Sequence, residues 1–588
     1  MRATDFCNPG PAEAWEGVNM KQMITGSEAL VEALRLESVD TIFGIVGSAF
    51  MDPLDIFPRA NLRFIQVRHE QNAALMAEGY SRASGRPGLC IGQNGPGVTN
   101  LVTGVASALL NHTPMVVITP AVATVATGTR AFQEIDQMRL FEPIVVWQTQ
   151  VNRADRMSEA VRGAFRAAIA MRGPAQIDIP RDVYYGKTEE GLLMPAQYRV
   201  EGRFGGAPQA EIQRAARLLL EAKTPVFLAG LGAVDDEAAR TIGELADRFT
   251  APVACVWLHN DAFPASHPLA VGPIGYQSSA AAMRLLSEAD CVLALGTRLN
   301  SFGTTPQYDF DFFPRKAKLI HNSINPLEIG ALRPVEVGLV GDCAAVASQL
   351  LAATAGKKPN VDRQARLAHI AEEKKDWHEK LTAMSCIDGS PIHPRRALLE
   401  IARAVPEDVC VVSDVGNVSG TANAYFSFDK ARRWFGHGSL GGIGVGFSTA
   451  LGVKVARPEA PVLALVGDGA WSMTLQEVMT AVTEKINLVT VIFNNGQYGA
   501  EKRNQYDFFN KRFFWTDLQN PNFAAIASEM GALGVRIDRP EDVAPNLREA
   551  FAADRPVVLD LKIDKVLAEP YRRDAMRIPE RVLPRYRD

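Results

Sequence analysis

Between residues 461 and 499 the pattern of apolar and polar positions predicts two buried strands. The apolar run 462–466 stops at the Gly-Asp-Gly of residues 467–469, and a second run, 488–493, stops at the Asn-Asn of residues 494–495. Uninterrupted apolar runs of this length are typical of strands buried on both faces, as in parallel sheets. Each predicted strand therefore ends at polar residues.

The residues between these strands predict a helix. Thr474 and Glu477 have the spacing of a capping box, which marks a helix start. The apolar face of that helix is expected to carry Leu475, Val478, Met479 and Val482. Strand, helix and strand form a βαβ unit. Because a right-handed crossover lays the two strands parallel, Asp468 and Asn495 both follow carboxyl ends of strands and are expected at the same edge of the sheet.

Strand and helix patterns alternate along most of the chain, which predicts doubly wound parallel sheets. The other predicted strands are residues 41–45, 63–67, 88–92, 114–119, 175–180, 225–229, 253–256, 291–295, 318–321 and 409–412. Predicted helices include residues 27–37, 71–84, 98–110 and 445–455.

We expect an α/β fold with three doubly wound parallel-sheet domains. Their predicted bounds are residues 20–186, 207–355 and 391–570, with an N-terminal extension at 1–19 and a C-terminal tail at 571–588. The first and third domains have similar patterns, which hints at a duplicated fold.

Composition narrows the functional class. The chain has 588 residues, too many for one hydrophobic core. A net charge of -4 and a pI near 6.2 give no support for nucleic-acid binding, which usually needs a basic domain. No apolar stretch of about 18 residues predicts a membrane span, and the first residues lack the apolar region of a secretory signal. Seven scattered cysteines predict reduced thiols in a cytoplasmic protein.

A short glycine motif follows the first strand of the central domain. Residues 230–232 read Gly-Leu-Gly, but Asp235 stands where a dinucleotide fingerprint has its third glycine. We interpret the motif as a tight turn, with a cofactor site as the alternative.

The polar residues after the two strands of residues 461–499 suit a metal and a diphosphate. Asp468 offers a carboxylate oxygen, Asn495 a neutral side-chain oxygen, and Gln497 a main-chain carbonyl. Mg²⁺ prefers oxygen ligands in octahedral geometry and usually binds together with substrate phosphates. Gly467 and Gly469 are expected to let the backbone approach those phosphates closely.

Gly-Asp-Gly, 24 further residues (470–493) and Asn-Asn resemble the signature of the thiamine diphosphate-dependent family that includes acetohydroxyacid synthase, pyruvate oxidase and benzoylformate decarboxylase. The stretches RHEQNAALMAEGYSRASGRPG, NGPGVTN and GTRAFQEID extend the resemblance over nearly the whole chain. It implies pyrimidine-binding, central and diphosphate-binding domains, with thiamine diphosphate and Mg²⁺ as cofactors.

The resemblance also implies roles for single residues. Glu70 would bind N1′ of the aminopyrimidine, the Gly441 carbonyl would accept from its 4′-amino group, and Ile443 would separate the two cofactor rings. The cofactor-binding residues implied in this way are Glu70, Asp414, Gly416, Asn417, Gly441, Ile443, Gly467, Asp468, Gly469, Ala470, Asn495 and Tyr498.

Within the family, the segments CIGQNGPGVTN, ALLNHTPMVVITPAVATVATGT and NNGQYGAEKRNQ are most similar to the sulfoacetaldehyde acetyltransferase branch. That branch implies conversion of sulfoacetaldehyde and phosphate to acetyl phosphate and sulfite, by way of an acetyl group held on thiamine diphosphate, in taurine or sulfonate degradation. Residues 322–326 lack the acidic run that would support FAD binding, and the reaction needs no external electron acceptor.

Two anionic substrates require cationic or amide donors. The candidates are His112, Arg130, Gln133, Tyr498, Lys502 and Arg503. Lys502 and Arg503 belong to residues 500–516, whose aromatic and basic side chains predict a lid over the site. Side-chain type alone favours solvated surface charge for Lys502 and Arg503. A packed core histidine is the alternative for His112.

Two other functions stay open from the sequence. One is an acetolactate synthase-like enzyme acting on pyruvate, and the other is a cofactor-binding regulatory protein without catalysis. The presence of Glu70, Asp468 and Asn495 together favours an enzyme. The family resemblance further implies a homodimer or homotetramer in which two subunits complete each site.

Overall fold

The computed structural model describes residues 23–189, 192–200, 204–567, 569–570 and 580–587. These fold into two compact units, one of residues 23–74 with 89–200 and one of residues 75–88 with those from 204 onward. The predicted N-terminal extension and part of the predicted C-terminal tail lie outside the described residues.

The first sheet contains six strands. Their spatial order is Arg63–Gln66, Thr41–Gly44, Gly88–Ile91, Met115–Ala121, Pro174–Pro180 and Trp147–Gln150. Its helices are Gly26–Leu36, Met51–Ile56, Glu70–Ser84, Pro96–Leu110, Gln137–Phe141 and Met157–Met171. A short antiparallel pair, Ile24–Thr25 with Lys187–Thr188, joins the two ends of this part of the chain.

The central sheet is parallel and also has six strands. Their spatial order is Ala270–Pro273, Val253–Cys255, Pro225–Ala229, Cys291–Leu295, Lys318–Ser323 and Val337–Val340. Numbered along the chain, this order is 3-2-1-4-5-6, that of a dinucleotide-binding fold. Helices Gln209–Glu221, Asp236–Phe249, Ala280–Ser287, Cys343–Thr354 and Arg363–Ser385 accompany it.

The third sheet repeats the strand order of the first. Its parallel strands are ordered Trp434–Gly436, Cys410–Ser413, Val462–Gly467, Val489–Asn494, Val557–Lys562 and Leu533–Ile537. Its helices are Pro394–Ala404, Asn417–Ala422, Gly446–Ala456, Asp468–Trp471, Glu477–Thr483, Gly499–Phe508, Phe523–Glu529 and Pro540–Ala552. Numbered within each domain, both sheets run 2-1-3-4-6-5, which supports the predicted duplication.

The predicted fold class, α/β with three doubly wound parallel sheets, is confirmed. Each sheet is buried by apolar side chains of the helices on its faces, so each domain has a core of its own. The strands that were predicted lie within a few residues of their predicted bounds. Six strands of the three sheets were missed, because short runs and runs broken by polar residues give little periodic signal: Trp147–Gln150, Ala270–Pro273, Val337–Val340, Trp434–Gly436, Leu533–Ile537 and Val557–Lys562.

The predicted capping box is wrong. The helix Asp468–Trp471 follows its strand directly, and the next helix, Glu477–Thr483, has no side-chain cap. The Thr474 amide donates to the Trp471 carbonyl at 3.0 Å, so Thr474 belongs to the turn after the first helix and is not the N-cap of the next one. Glu477 instead accepts from the Thr480 hydroxyl, at 2.7 Å. The buried face of the helix is Glu477, Val478, Thr480 and Ala481.

The glycine motif of the central domain forms a tight turn, as interpreted from the sequence. Leu231–Ala233 is a single 3₁₀ turn, and Asp235 caps the following helix by accepting from the amides of Glu237 and Ala238. The six described cysteines are free thiols. No helix in the described part of the chain combines the length and the apolar character needed to cross a membrane.

Candidate active site

Glu70 is the first residue of helix Glu70–Ser84 and follows the strand Arg63–Gln66. Its side chain is 8% exposed, and its Oε2 accepts from the Asn100 side-chain amide at 2.9 Å. A Cβ atom at Gly97 would stand 2.9 Å from Glu70 Oε1, so a larger residue at this position would clash with the carboxylate. Asn100 belongs to the NGPGVTN stretch, but its contact with Glu70 was not predicted.

Gln133 lies at the same edge of the first sheet as Glu70, in the loop after strand Met115–Ala121. Its side-chain oxygen accepts from the Gln93 amide at 3.0 Å, and Gln93 Oε1 accepts from the Ala49 amide, also at 3.0 Å. Gln133 therefore belongs to an amide network beside the NGPG turn. Arg130, in the same loop, is exposed.

His112 does not lie at this edge. It follows the C-terminal end of helix Pro96–Leu110 and precedes strand Met115–Ala121, so it sits where that strand begins. Glu70 and Gln133 lie beyond the carboxyl ends of parallel strands, at the opposite edge of the sheet. The prediction that His112 binds substrate beside them is corrected, because one helix length separates the two edges.

The second unit holds a cavity of about 680 Å³. Loops that follow strands Cys410–Ser413, Val462–Gly467 and Val489–Asn494 form much of its wall. In the strand order 2-1-3-4-6-5 the strand order reverses between Cys410–Ser413 and Val462–Gly467, because the next strand along the chain lies on opposite sides of these two neighbours. Ligands of open α/β sheets bind outside the carboxyl ends of strands at such a switch point.

Asp468 stands at the start of the short helix after the strand Val462–Gly467 and is 3% exposed. Its Oδ1 accepts from the Gly469 amide at 2.8 Å, and its Oδ2 accepts from the Gly496 amide at 2.6 Å. The Asn520 side chain also donates to Oδ2, at 2.8 Å. Burial raises the pKa of Asp468 above its usual range, while these hydrogen bonds oppose the shift.

Three side-chain amides converge at Gly499, on the cavity wall that also carries Asp468. A Cβ atom at Gly499 would lie 2.9 Å from Asn417 Nδ2, 3.8 Å from Asn495 Nδ2 and 3.9 Å from Gln497 Nε2. The Gln497 side chain is 3% exposed, and neither of its polar atoms has a hydrogen-bond partner among the described residues. Buried polar groups are rarely left unpaired, so an unpaired amide on the cavity wall indicates a ligand there.

Glycine backbones form open parts of the same wall. At Gly416, Gly441 and Gly467, no atom of the described chain lies within 4 Å of the place where a Cβ would stand. Gly416 has φ of +138° and Gly441 of +77°, values that other residues rarely adopt. The cradle fits a diphosphate, and the nearby carboxylate and amide oxygens fit a divalent cation.

Gly469 lines the cavity as well, but the space beside its Cα is already occupied. A Cβ atom there would stand 2.4 Å from Tyr498 Cε1, so the tyrosine ring covers the glycine. Tyr498 lines the cavity together with Ala470 and Ile443, both predicted cofactor residues.

Asp414 does not line the cavity but holds one of its loops. Its Oδ1 accepts from the Gly444 amide at 3.0 Å, and its Oδ2 accepts from the Gly446 amide at 2.7 Å. Burial raises the pKa of Asp414 to about 6. The carboxylate thus fixes the turn that presents Gly441 and Ile443.

His437 lines the cavity and was missed by the sequence reasoning. Its Nδ1 lies 3.2 Å from the Ser413 carbonyl, so Nδ1 carries the hydrogen, and Nε2 accepts from the Thr449 hydroxyl at 3.2 Å. Burial lowers the pKa of His437 to about 3, and the nearby Arg82 guanidinium adds to the shift. The imidazole is therefore neutral. A single histidine in a glycine-rich segment gave no signal of this position.

The basic residues of the predicted lid do not line the cavity. Lys502 Nζ lies 2.7 Å from Asp517 Oδ1, and Arg503 Nε lies 2.8 Å from Asp507 Oδ2. Glu501 is the last residue of this segment on the cavity wall. The predicted phosphate contacts of Lys502 and Arg503 are corrected, because acidic neighbours that the sequence reasoning did not pair with them hold both cations.

The predicted lid is part helix and part loop. Helix Gly499–Phe508 starts at the cavity wall, and the loop after it presents aromatic rings to solvent. Phe513 is 45% exposed, Phe514 42% and Trp515 90%. None of these three rings is among the described residues that line the cavity.

Profiles of the thiamine pyrophosphate enzymes match three stretches of the chain. The N-terminal TPP binding domain matches residues 24–140, the central domain residues 212–350 and the C-terminal TPP binding domain residues 414–561. The last stretch contains Asp414, Asp468 and Asn495, and the first contains Glu70.

Single proteins match over almost their entire length. The chain is 43% identical to the sulfoacetaldehyde acetyltransferase of Castellaniella defragrans, over 96% of this chain and 98% of the relative. It is 42% identical to the protein of the same name from Alcaligenes xylosoxydans xylosoxydans, over 97% of this chain and 98% of the relative. A probable acetolactate synthase large subunit of Methanocaldococcus jannaschii is 34% identical over 93% of each chain.

Proposed function

We propose an activity for this chain on the premise that it belongs to the thiamine pyrophosphate enzyme family, whose three domains it contains. It is a thiamine diphosphate-dependent acyltransferase, and its reaction converts sulfoacetaldehyde and phosphate to acetyl phosphate and sulfite. The observation that carries this proposal is 43% identity to a sulfoacetaldehyde acetyltransferase over 96% of the chain, against 34% to a probable acetolactate synthase subunit.

The loops of the second unit would hold the cofactor. Asp468, Asn495 and the main-chain carbonyl of Gln497 would bind Mg²⁺ together with the diphosphate. The open backbone at Gly416, where helix Asn417–Ala422 begins, would receive phosphate oxygens. The unpaired Gln497 side chain supports a ligand at this place. When bound, thiamine diphosphate supplies a nucleophilic carbon and an electron sink for the aldehyde.

Glu70 would hold a proton at N1′ of the aminopyrimidine. The carboxylate is buried and is oriented by the hydrogen bond from Asn100. The Gly441 carbonyl would accept from the 4′-amino group, and Ile443 would separate the two rings. Asp414 supports these two roles by fixing the turn that carries them.

The reaction balances without an external oxidant. The carbon–sulfur bond breaks, and its electron pair leaves with sulfite. The aldehyde carbon loses its hydrogen as a proton and is oxidised to the oxidation state of an acyl carbon. The neighbouring carbon gains a proton and is reduced to a methyl group. A phosphate oxygen then forms the new bond to the acyl carbon. Because oxidation and reduction cancel within the substrate, FAD has no electrons to carry.

Oligomeric state and location belong to the same proposal. The pyrimidine-binding domain would be residues 20–186, the central domain residues 207–355, and the diphosphate-binding domain residues 391–570. Glu70 and Asp468 belong to different units, and in this proposal two subunits bring them together in a cytoplasmic homodimer or homotetramer. Size-exclusion chromatography that gives a fully active monomer would contradict this arrangement.

The test is sulfite release by the purified protein with thiamine diphosphate and Mg²⁺. We expect sulfite and acetyl phosphate in equal amounts, and no sulfite when phosphate is omitted. Acetolactate formation from pyruvate without sulfite release would replace the proposal with the acetolactate synthase-like reaction. Cofactor binding without either reaction would favour a regulatory protein.

A further inference from the structure

The cavity that contains Asp468 carries little positive charge. Among the described residues that line it, Arg395 is the only arginine or lysine. Acidic side chains also line it, namely Asp468, Glu501 and Glu569. A site for anionic substrates needs cationic or amide donors, so the surroundings of this single guanidinium decide what it can bind.

Arg395 contacts only neutral groups in the described part of the chain. Its Nη2 donates to Gln277 Oε1 at 2.6 Å, and its Nη1 donates to the Tyr425 hydroxyl at 3.4 Å. No carboxylate of a described residue lies within 4.0 Å of its guanidinium. The neighbouring Arg396 differs, because it pairs with Glu400 at 2.8 Å and Asp388 at 2.5 Å.

Helix Pro394–Ala404 and Gln277 position Arg395 at the cavity wall. It stands in the first turn of helix Pro394–Ala404, whose N-terminal end carries partial positive charge. Gln277, its main partner, is 3% exposed and also accepts from the Thr421 hydroxyl, at 3.2 Å. Thr421 belongs to helix Asn417–Ala422, which begins at the open backbone of Gly416. The guanidinium and the glycine cradle are therefore parts of one connected wall.

A half-buried guanidinium with neutral partners lacks the counter-charge that such groups usually have. An anion in the cavity would supply it through charge-assisted hydrogen bonds, which are about twice as strong as neutral ones. The planar fork of arginine matches the oxygens of a tetrahedral oxyanion better than a lysine ammonium does.

We propose that Arg395, positioned by Gln277 and the start of helix Pro394–Ala404, binds a tetrahedral oxyanion in this cavity. The proposal rests on the proposed function, because both substrates of that reaction carry such a group. The anion is either the inorganic phosphate or the sulfonate of the aldehyde. Their chemistry at the guanidinium is shared, so kinetics must distinguish them.

The first experiment compares Arg395→Gln, Arg395→Lys and the matched control Arg396→Gln in steady-state kinetics. If phosphate is the anion, Arg395→Gln raises the phosphate KM by about ten- to one-hundredfold and leaves the sulfoacetaldehyde KM near wild type. If the sulfonate is the anion, the two effects are exchanged. Arg395→Lys keeps the charge and should recover part of the loss. Both KM values within twofold of those of Arg396→Gln would overturn the proposal.

The second experiment measures binding without turnover. Inorganic phosphate, and separately isethionate as an unreactive sulfonate, are titrated by calorimetry into the protein loaded with thiamine diphosphate and Mg²⁺. We expect at least one anion to bind wild type and Arg396→Gln but to bind Arg395→Gln at least tenfold more weakly. Equal binding to all three proteins would contradict the anion site.

The two experiments separate failure of the site from failure of the activity. If wild type releases no sulfite, the proposed function falls, and the calorimetry alone still decides whether Arg395 binds an oxyanion. Thermal unfolding midpoints identify a variant that does not fold. If Arg395→Gln is such a variant, Arg395→Lys serves in both experiments, with weaker binding expected and binding equal to wild type contradicting the proposal.

Discussion

The side-chain amide of Asn520 donates to Oδ2 of Asp468 at 2.8 Å. The same amide nitrogen lies 2.9 Å from the side-chain oxygen of Asn494, on the neighbouring strand. Asn520 therefore helps to orient the carboxylate, together with the backbone amides of Gly469 and Gly496. Outer residues of this kind tune metal sites, since a ligand that is already oriented loses less freedom on binding.

We predict that Asn520→Ala weakens Mg²⁺-dependent binding of thiamine diphosphate by about tenfold. Tryptophan fluorescence titration of cofactor at several Mg²⁺ concentrations measures this. Asp468→Ala should abolish the Mg²⁺ dependence and sets the upper limit of the effect. Asn546→Ala is the control, because among the described residues the Asn546 amide donates only to the Asp542 carbonyl of its own helix. Unchanged affinity in Asn520→Ala would show that the carboxylate needs no support from Asn520.

Glu70→Gln should keep the cofactor but slow exchange of its C2 hydrogen, by about a hundredfold or more. An amide can still pair with Asn100 and with a ring nitrogen, but it cannot hold or release the proton in the way a carboxyl group does. The C2 hydrogen is exchanged in deuterated buffer, the reaction is stopped with acid at set times, and the remaining C2 hydrogen is measured by NMR. Glu142→Gln, at an exposed position, is the control. Wild-type exchange in Glu70→Gln would remove Glu70 from its proposed role.

His437 should make the protein less stable in acid. The pKa of His437 is about 3 in the folded protein, against an ordinary value of 6.5. Between these values the unfolded chain binds one more proton than the folded chain. The free energy of unfolding therefore falls by ~1.4 kcal/mol for each pH unit below about 6.5.

In His437→Asn this contribution is absent, so the stability difference between wild type and variant should grow by about 2 kcal/mol from pH 5 to pH 7. Thermal midpoints measured across that range test the change. His378→Asn, at an exposed helix position, should follow the wild-type curve. Parallel curves for wild type and His437→Asn would mean that His437 does not titrate in this way.

Gly452→Ala should destabilise the second unit by on the order of 3 kcal/mol. A Cβ atom at Gly452 would stand 1.9 Å from the Met76 carbonyl oxygen, and one at Gly79 would stand 2.1 Å from the Thr449 carbonyl oxygen. The two helices touch backbone to backbone here, so a methyl group forces them apart. Loss of thermal stability relative to Gly205→Ala, which meets no atom of the described chain within 4 Å, measures the cost.

The sequence alone determined the elements that carry local signals. Strands Pro225–Ala229 and Cys291–Leu295 have the predicted bounds, because a strand buried on both faces must be apolar throughout. Asp468 and Asn495 lie at one edge of one sheet because neighbouring parallel strands end on the same side. The resemblance in these motifs also identified the family before any tertiary contact was known.

Tertiary structure decided which polar side chains face the cavity and which are paired elsewhere. Arg395 and Arg396 are adjacent and identical in type, yet Arg395 meets Gln277, remote in sequence, whereas Arg396 meets Glu400 and Asp388. The local sequence predicts phosphate contacts for Lys502 and Arg503, but Asp517 and Asp507 form ion pairs with them. Such pairings depend on where distant chain segments pack, and side-chain type with local spacing does not fix that packing.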